Sequence, residues 1–103
     1  MTNIASPVGP VTVATNGDVI LIAETGVISA AVSTPALDTN DKTGLTIINF
    51  GGILNSLGVG LSFTDDSTGW IFNQESGYIA GTNGVSLEAT GAHLLNLGSI
   101  RPS

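Results

Sequence analysis

The stretch Leu45-Thr46-Ile47-Ile48-Asn49-Phe50-Gly51-Gly52-Ile53 decides the fold. It holds an apolar pair, an Asn directly after it, a short gap, and then Gly-x-Ile. The arrangement recurs as Ile71-Phe72-Asn73 with Gly77-Tyr78-Ile79, and as Leu94-Leu95-Asn96 with Gly98-Ser99-Ile100. An earlier copy, Leu21-Ile22 with Gly26-Val27-Ile28, lacks the Asn. The second residues of the four pairs stand 26, 24 and 23 positions apart. A period in the twenties describes stacked units rather than one globule with a unique core.

Aligning the copies gives each unit an inside. Leu21, Ile47, Ile71 and Leu94 form a uniformly aliphatic column. Two places earlier Val19, Leu45, Gly69 and Ala92 are all small or apolar. The position between holds Ile20, Thr46, Trp70 and His93, which share no chemistry. Uniform and free positions alternating at period two describe a strand with one buried face. Ile28, Ile53, Ile79 and Ile100 make an inward column on a second strand, and Val13, Leu37, Leu61 and Leu87 one on a third. Each unit therefore reads as three short strands. The second has 45–48, 52–55 and 59–64; the third has 70–72, 78–80 and 85–89; the first has 19–22, 27–31 and a weak strand around Leu37, beside Pro35, which lacks the ladder donor. Helical spacing at i, i+3, i+4, i+7 is scarce, and each Gly inside a helix would cost about 1 kcal/mol.

The expected fold is all-β: a parallel β-solenoid of about four rungs, three short strands to a rung, forming one domain over 1–103. Residues 1–10 are expected to be a loose N-terminal segment, with repeats at 11–43, 44–68, 69–90 and 91–103. Like residues at like positions favour like lying over like, with strands about 4.8 Å apart. Asn49, Asn73 and Asn96 are assigned to the corners. Asn tolerates positive φ, and stacked amides can hydrogen-bond along the axis.

The pattern I-x-N-x-G-x-I followed by a G-V-x-L strand resembles the repeats of bacterial autotransporter passenger domains and haemagglutinin-like adhesins. The matching residues are Ile47–Ile53 with Val59–Phe63, Ile71–Ile79 with Val85–Leu87, and Leu94–Ile100, within roughly residues 11–100. The resemblance implies a right-handed parallel β-helix. It also implies an extracellular or cell-surface location, as part of a longer parent, and a structural or adhesive role. No signal peptide is read, because no basic segment precedes an apolar stretch at the N-terminus.

Composition narrows the partners. The net charge is −6, with Lys42 and Arg101 the only fixed cations, so phosphate backbones and anionic membranes are poor partners. Membrane insertion is not expected, since no apolar run reaches the ~18 residues of a span. Without Cys there is no disulfide or thiolate chemistry. The abundance of Gly (14), Thr (12) and Asn (8) suits short strands and tight corners.

No recurring constellation carries chemistry, and the chain reads as a non-enzyme without a cofactor. Asp65-Asp66 could serve as an acid/base pair, and Asp38, Asn40 and Asp41 could contribute to a calcium site if six to eight oxygens converged. Solubilising corner acids are the plainer reading. His93 lacks a second His or a Cys with which to bind zinc. Trp70 and Tyr78 could stack on a glycan, which keeps a carbohydrate-binding, carbohydrate-active or calcium-binding module as the alternative. The outward stripe Ile20, Thr46, Trp70, His93 reads as a protein contact. Because solenoid ends expose strand edges and core, a homo-oligomer is expected, end-to-end or lateral, with glycan or host-surface contact the further option.

Overall fold

The computed structural model describes residues 1–64, 66–88 and 90–102. It contains fourteen strands and no helix among them: β1 (Thr2–Ile4), β2 (Pro7–Val8), β3 (Val11–Thr12), β4 (Val19–Ile22), β5 (Val27–Ala30), β6 (Leu37–Asp38), β7 (Leu45–Asn49), β8 (Gly52–Asn55), β9 (Leu61–Phe63), β10 (Thr68–Asn73), β11 (Tyr78–Gly81), β12 (Val85–Leu87), β13 (Gly91–Asn96) and β14 (Ser99–Pro102). They wind into a parallel β-solenoid. The first sheet runs β1-β4-β7-β10-β13, the second β2-β5-β8-β11-β14 and the third β3-β6-β9-β12, with every neighbouring pair parallel. Four rungs carry three strands each, and a fifth carries β13 and β14. Ala89, expected to close the third strand of its repeat, lies outside the described residues, as does Asp65.

The inward columns make the core. In the first sheet Ile20, Ile47, Ile71 and Leu94 lie over one another. In the second, Ile28, Ile53, Ile79 and Ile100 do the same, while Val8 continues the column at its N-terminal end as an exposed residue. In the third, Val11, Leu37, Leu61 and Val85 stack, with Phe63 buried beside them. Three sheets facing one axis bury these rows against each other, each aliphatic side chain contributing about 1.5–3 kcal/mol relative to exposure.

Four expectations are corrected. First, Ile20 does not face outward: it pairs with Ile47 and is 1% exposed, while Val19 pairs with Thr46 and Leu21 with Ile48. The run Val19-Ile20-Leu21-Ile22 is apolar at every place, so its pattern fits either register, and a one-residue slip exchanges all inward and outward side chains. The slip leaves Ile22 in the Asn column. Second, the column Val13, Leu37, Leu61, Leu87 is really two. Leu37 and Leu61 align with Val11 and Val85, while Leu87 aligns with Phe63; a shift by two keeps the face and changes the neighbour. Third, residues 1–10 are not loose. β1 and β2 belong to the first rung, and Ile4 lies buried over Ile22. Pro7 stands on an edge strand, where a missing N–H is tolerated.

The fourth correction concerns Asn49, Asn73 and Asn96. Among described residues other than Gly, only Asn40 and Asp41 have positive φ. The three Asn residues instead end their strands in one inward column. The Asn49 amide nitrogen donates to Asn73 Oδ1 (2.9 Å), and that of Asn73 donates to Asn96 Oδ1 (2.8 Å). In the short corners the same side chains also brace the backbone. Gly51 N–H donates to Asn49 Oδ1 (3.1 Å) and Gly98 N–H to Asn96 Oδ1 (3.2 Å).

Other buried polar groups are satisfied in the same way. Asn55, fully buried, accepts from Val32 N–H and Leu57 N–H and donates to the carbonyls of Thr34 and Val59, so one amide ties two rungs at the second corner. Thr39, Thr64 and Ser67 share a hydroxyl cluster at the third, with Thr39 Oγ1 and Ser67 Oγ 2.6 Å apart.

At the start of the coil, the Thr2 hydroxyl donates to Asp18 Oδ2 at 2.7 Å and holds that carboxyl below its ordinary value. A carboxylate favoured in the folded state stabilises it above the unfolded pKa, near 4, and ceases to do so as the pH falls through the folded value. A Thr2→Val variant should therefore be less stable than the parent at pH 7, with the gap closing toward pH 3. Urea midpoints measured across that range would show it; a gap independent of pH would refute the assignment.

Candidate interaction surface on the first sheet

Each apolar pair of the repeat splits across the sheet. Ile47, Ile71 and Leu94 point in; Ile48, Phe72 and Leu95 point out. With Leu21 they form one outward column. Val19, Thr46, Trp70 and His93 form the column beside it. Four rungs at about 4.8 Å make a face some 15 Å long, and none of its eight side chains is an acid, Lys or Arg. At its edge the corner column adds Phe50 and Leu97, the latter 60% exposed. Acids stand at the corners instead: Glu24 and Glu75 on one side, Asp41 and Asp66 on the other, all exposed.

An aromatic stack lies at the centre of the face. The rings of Trp70 and Phe72, two places apart on β10, are 5.6 Å between centroids and nearly parallel at 7°. His93, one rung on, stacks against Trp70 at 4.6 Å and 23°. Such geometry adds about 0.5–1.5 kcal/mol per aromatic pair beyond area burial. Trp70 nonetheless remains 46% exposed and Leu95 47%.

Of the stripe expected from sequence, the structure brings Thr46, Trp70 and His93 together and removes Ile20. Leu21, Ile48, Phe72 and Leu95 were missed as surface residues. Their signal was present in the doubled apolar position, because successive residues of a strand point to opposite faces and only one of each pair can point inward. Trp70 and Tyr78, paired above as a glycan platform, stand on different sheets. Tyr78 lies half-buried across Gly52 on the second sheet, where a Cβ would collide with its ring.

The acids considered for calcium serve the corner. Asp38 Oδ1 accepts from Asn40 N–H (2.8 Å), Asn40 donates to the Val13 carbonyl, and Asp41 pairs with the Thr64 hydroxyl. Among the described residues no three His, Asp or Glu side chains cluster, and no cavity opens.

The chain matches no protein-family model, and comparisons with curated proteins and with solved structures return no match.

Proposed function

We propose that this chain is a non-enzymatic structural β-solenoid module that acts through protein contacts, associating with itself through the outer face of its first sheet. The observation that carries this reading is the uncharged apolar surface built from Leu21, Ile48, Phe72 and Leu95 beside Trp70. A parallel sheet apolar on both faces is normally covered on both, and an apolar patch rimmed by charge marks a contact site. Lateral packing of this face is the mode proposed. The repeat pattern supports a place in a longer bacterial surface or secreted protein of the passenger or adhesin type. In such a protein the solenoid would supply rigid length and a sticky side. The alternative module, binding a glycan or calcium, draws less support. Its two aromatic residues lie on separate faces, and Asp38 and Asp41 are engaged in corner hydrogen bonds.

Sedimentation equilibrium tests the proposal. The chain should associate reversibly at tens of micromolar. Association should tighten with added salt, since the net charge of −6 opposes it and is screened. Trp70→Ser with Phe72→Ser should give a monomer whose thermal midpoint falls only modestly. A parent chain monomeric at all concentrations and salts would sink the reading, whereas a thermal midpoint raised by calcium would favour the alternative.

A further inference from the structure

The two edges of the coil differ chemically. β13, β14 and β12 are the last strands of the three sheets in the C-terminal direction. Along the Asn ladder the amide nitrogens of Asn49 and Asn73 each reach forward by one rung to two acceptors, that of Asn73 lying also 3.4 Å from the Gly77 carbonyl of its own rung. Asn49 donates to Asn73 Oδ1 and to the carbonyl of Tyr78 (3.2 Å), the first residue of β11. Asn73 donates to Asn96 Oδ1 and to the carbonyl of Ser99 (3.1 Å), the first residue of β14. Asn96 keeps its Oδ1 occupied by Asn73 and Gly98, and its own amide nitrogen has no acceptor among the described residues. In the other direction the column is closed by carbon: Ile22 pairs with Asn49, and Ile4 with Ile22.

The columns around Asn96 are also unfinished. Leu94 and Ile100 continue rows whose members Ile47, Ile71, Ile53 and Ile79 are fully buried, yet both are only partly covered. Leu87 continues the Phe63 column and is 42% exposed. Among the described residues the third sheet has one strand fewer than the other two, so β12 forms a step below β13 and β14.

We propose that this edge captures an incoming parallel rung of the chain's own repeat type, which enters on β12, lays apolar residues over Leu94 and Ile100, and sets an Asn oxygen over the Asn96 amide. The N-terminal edge of a second copy fits less well. Its β1 would place Ile4 over Asn96, leaving the donors unpaired, and would leave the step on β12 unfilled. The occupant is thus a polypeptide rung with Asn in register. The inference makes no use of the outer face of the first sheet, so it stands or falls separately from the proposed lateral association.

A dye-labelled synthetic peptide of residues 61–82 supplies one rung in the required order: a third-sheet strand, a first-sheet strand with Asn73, and a second-sheet strand. Titrated with the intact chain, it should bind saturably by fluorescence anisotropy. The same peptide with Asn73→Ala should bind about tenfold or more weakly, the expected effect of leaving one donor unpaired. Hydrogen exchange should slow at Gly91–Asn96 and Ser99–Arg101 but not at Thr2–Ile4. A Phe72→Ser chain should bind the peptide within about twofold of the parent, since a surface change away from the contact is nearly neutral. The proposal is overturned by absence of binding, by equal affinity of the two peptides, or by protection at β1. It is equally overturned if Phe72→Ser abolishes binding.

Discussion

Gly51→Ala is expected to destabilise the chain by about 3 kcal/mol or more, at or above the usual range for overpacking. A Cβ at Gly51 would overlap the carbonyl oxygens of Gly26 and Ala23, which belong to the rung beneath. Neither oxygen can swing aside cheaply. The Gly26 carbonyl accepts from Gly52 N–H at 3.1 Å, and the Ala23 carbonyl accepts from Gly26 N–H at 2.8 Å. Relief would require parting two rungs along the axis, which strains the parallel pairing on either side of the corner. The rest of the column is built alike: a Cβ at Gly26, Gly77 or Gly98 would meet the carbonyl of Ile4, Asn49 or Gly77. The recurrence of Gly before x-Ile is therefore a demand of stacking distance, since none of the four has positive φ. Gly9 is the control. Nothing lies within 4 Å of its missing Cβ, so Gly9→Ala should be neutral or stabilising by up to about 1 kcal/mol. Urea denaturation of the two variants gives the comparison; equal midpoints would mean that the rungs do not close on each other at this corner.

Asn73→Leu should cost about 1–3 kcal/mol, although Leu has the same branched side-chain skeleton of four heavy atoms and is more apolar. The change strands the Asn49 amide nitrogen, which then lacks one of its acceptors, and removes the donor from Asn96 Oδ1 and the Ser99 carbonyl. Asn49 is buried, and a buried group left short of a partner costs about 1–3 kcal/mol, whereas the exposed Asn96 and Ser99 lose less. Asn49→Leu should cost at least as much: Ile22 stands in the preceding rung, so no side-chain donor is lost there, but the buried Gly51 N–H and the buried Asn73 Oδ1 both lose their partner. Replacing both should cost less than the two single losses added, since the second substitution removes a group the first had orphaned. Urea midpoints for the four members of this cycle test it. Strict additivity would mean that the side chains act independently and that the ladder is a coincidence of register.

Much of this was legible in the amino-acid sequence, and the limits of legibility have physical causes. Gly-x-Ile placed the second sheet correctly because a single Ile stands between positions of different character. Val19–Ile22 could not be phased, because four consecutive apolar residues satisfy both registers. The structure chooses the one that buries Ile20 and Ile22. Asn49, Asn73 and Asn96 were recognised as structural and as stackable, but the positive φ assigned to them belongs to Asn40 and Asp41. Asn55 gave no repeat signal, since its column neighbours are Ala30 and Gly81, and only three-dimensional proximity reveals its bonds to the rung beneath. The outer apolar face was half visible: Trp70 and His93 stood out by type, while Phe72 and Leu95 were absorbed into the core by their place in the apolar pair.

The corner between the first and second sheets comes in two lengths. Asn49 and Gly51 are separated by Phe50 alone, and Asn96 and Gly98 by Leu97, whereas Gln74, Glu75 and Ser76 lie between Asn73 and Gly77. Both versions bring the same column residues back into register. This corner is thus a graft site already proven within the molecule: two residues enter or leave without disturbing the coil. Because the closing glycine and the ladder asparagine fix the two ends of each excursion, longer displayed loops placed after Gln74 should be carried on an unchanged scaffold, one per rung, at the spacing of the strands.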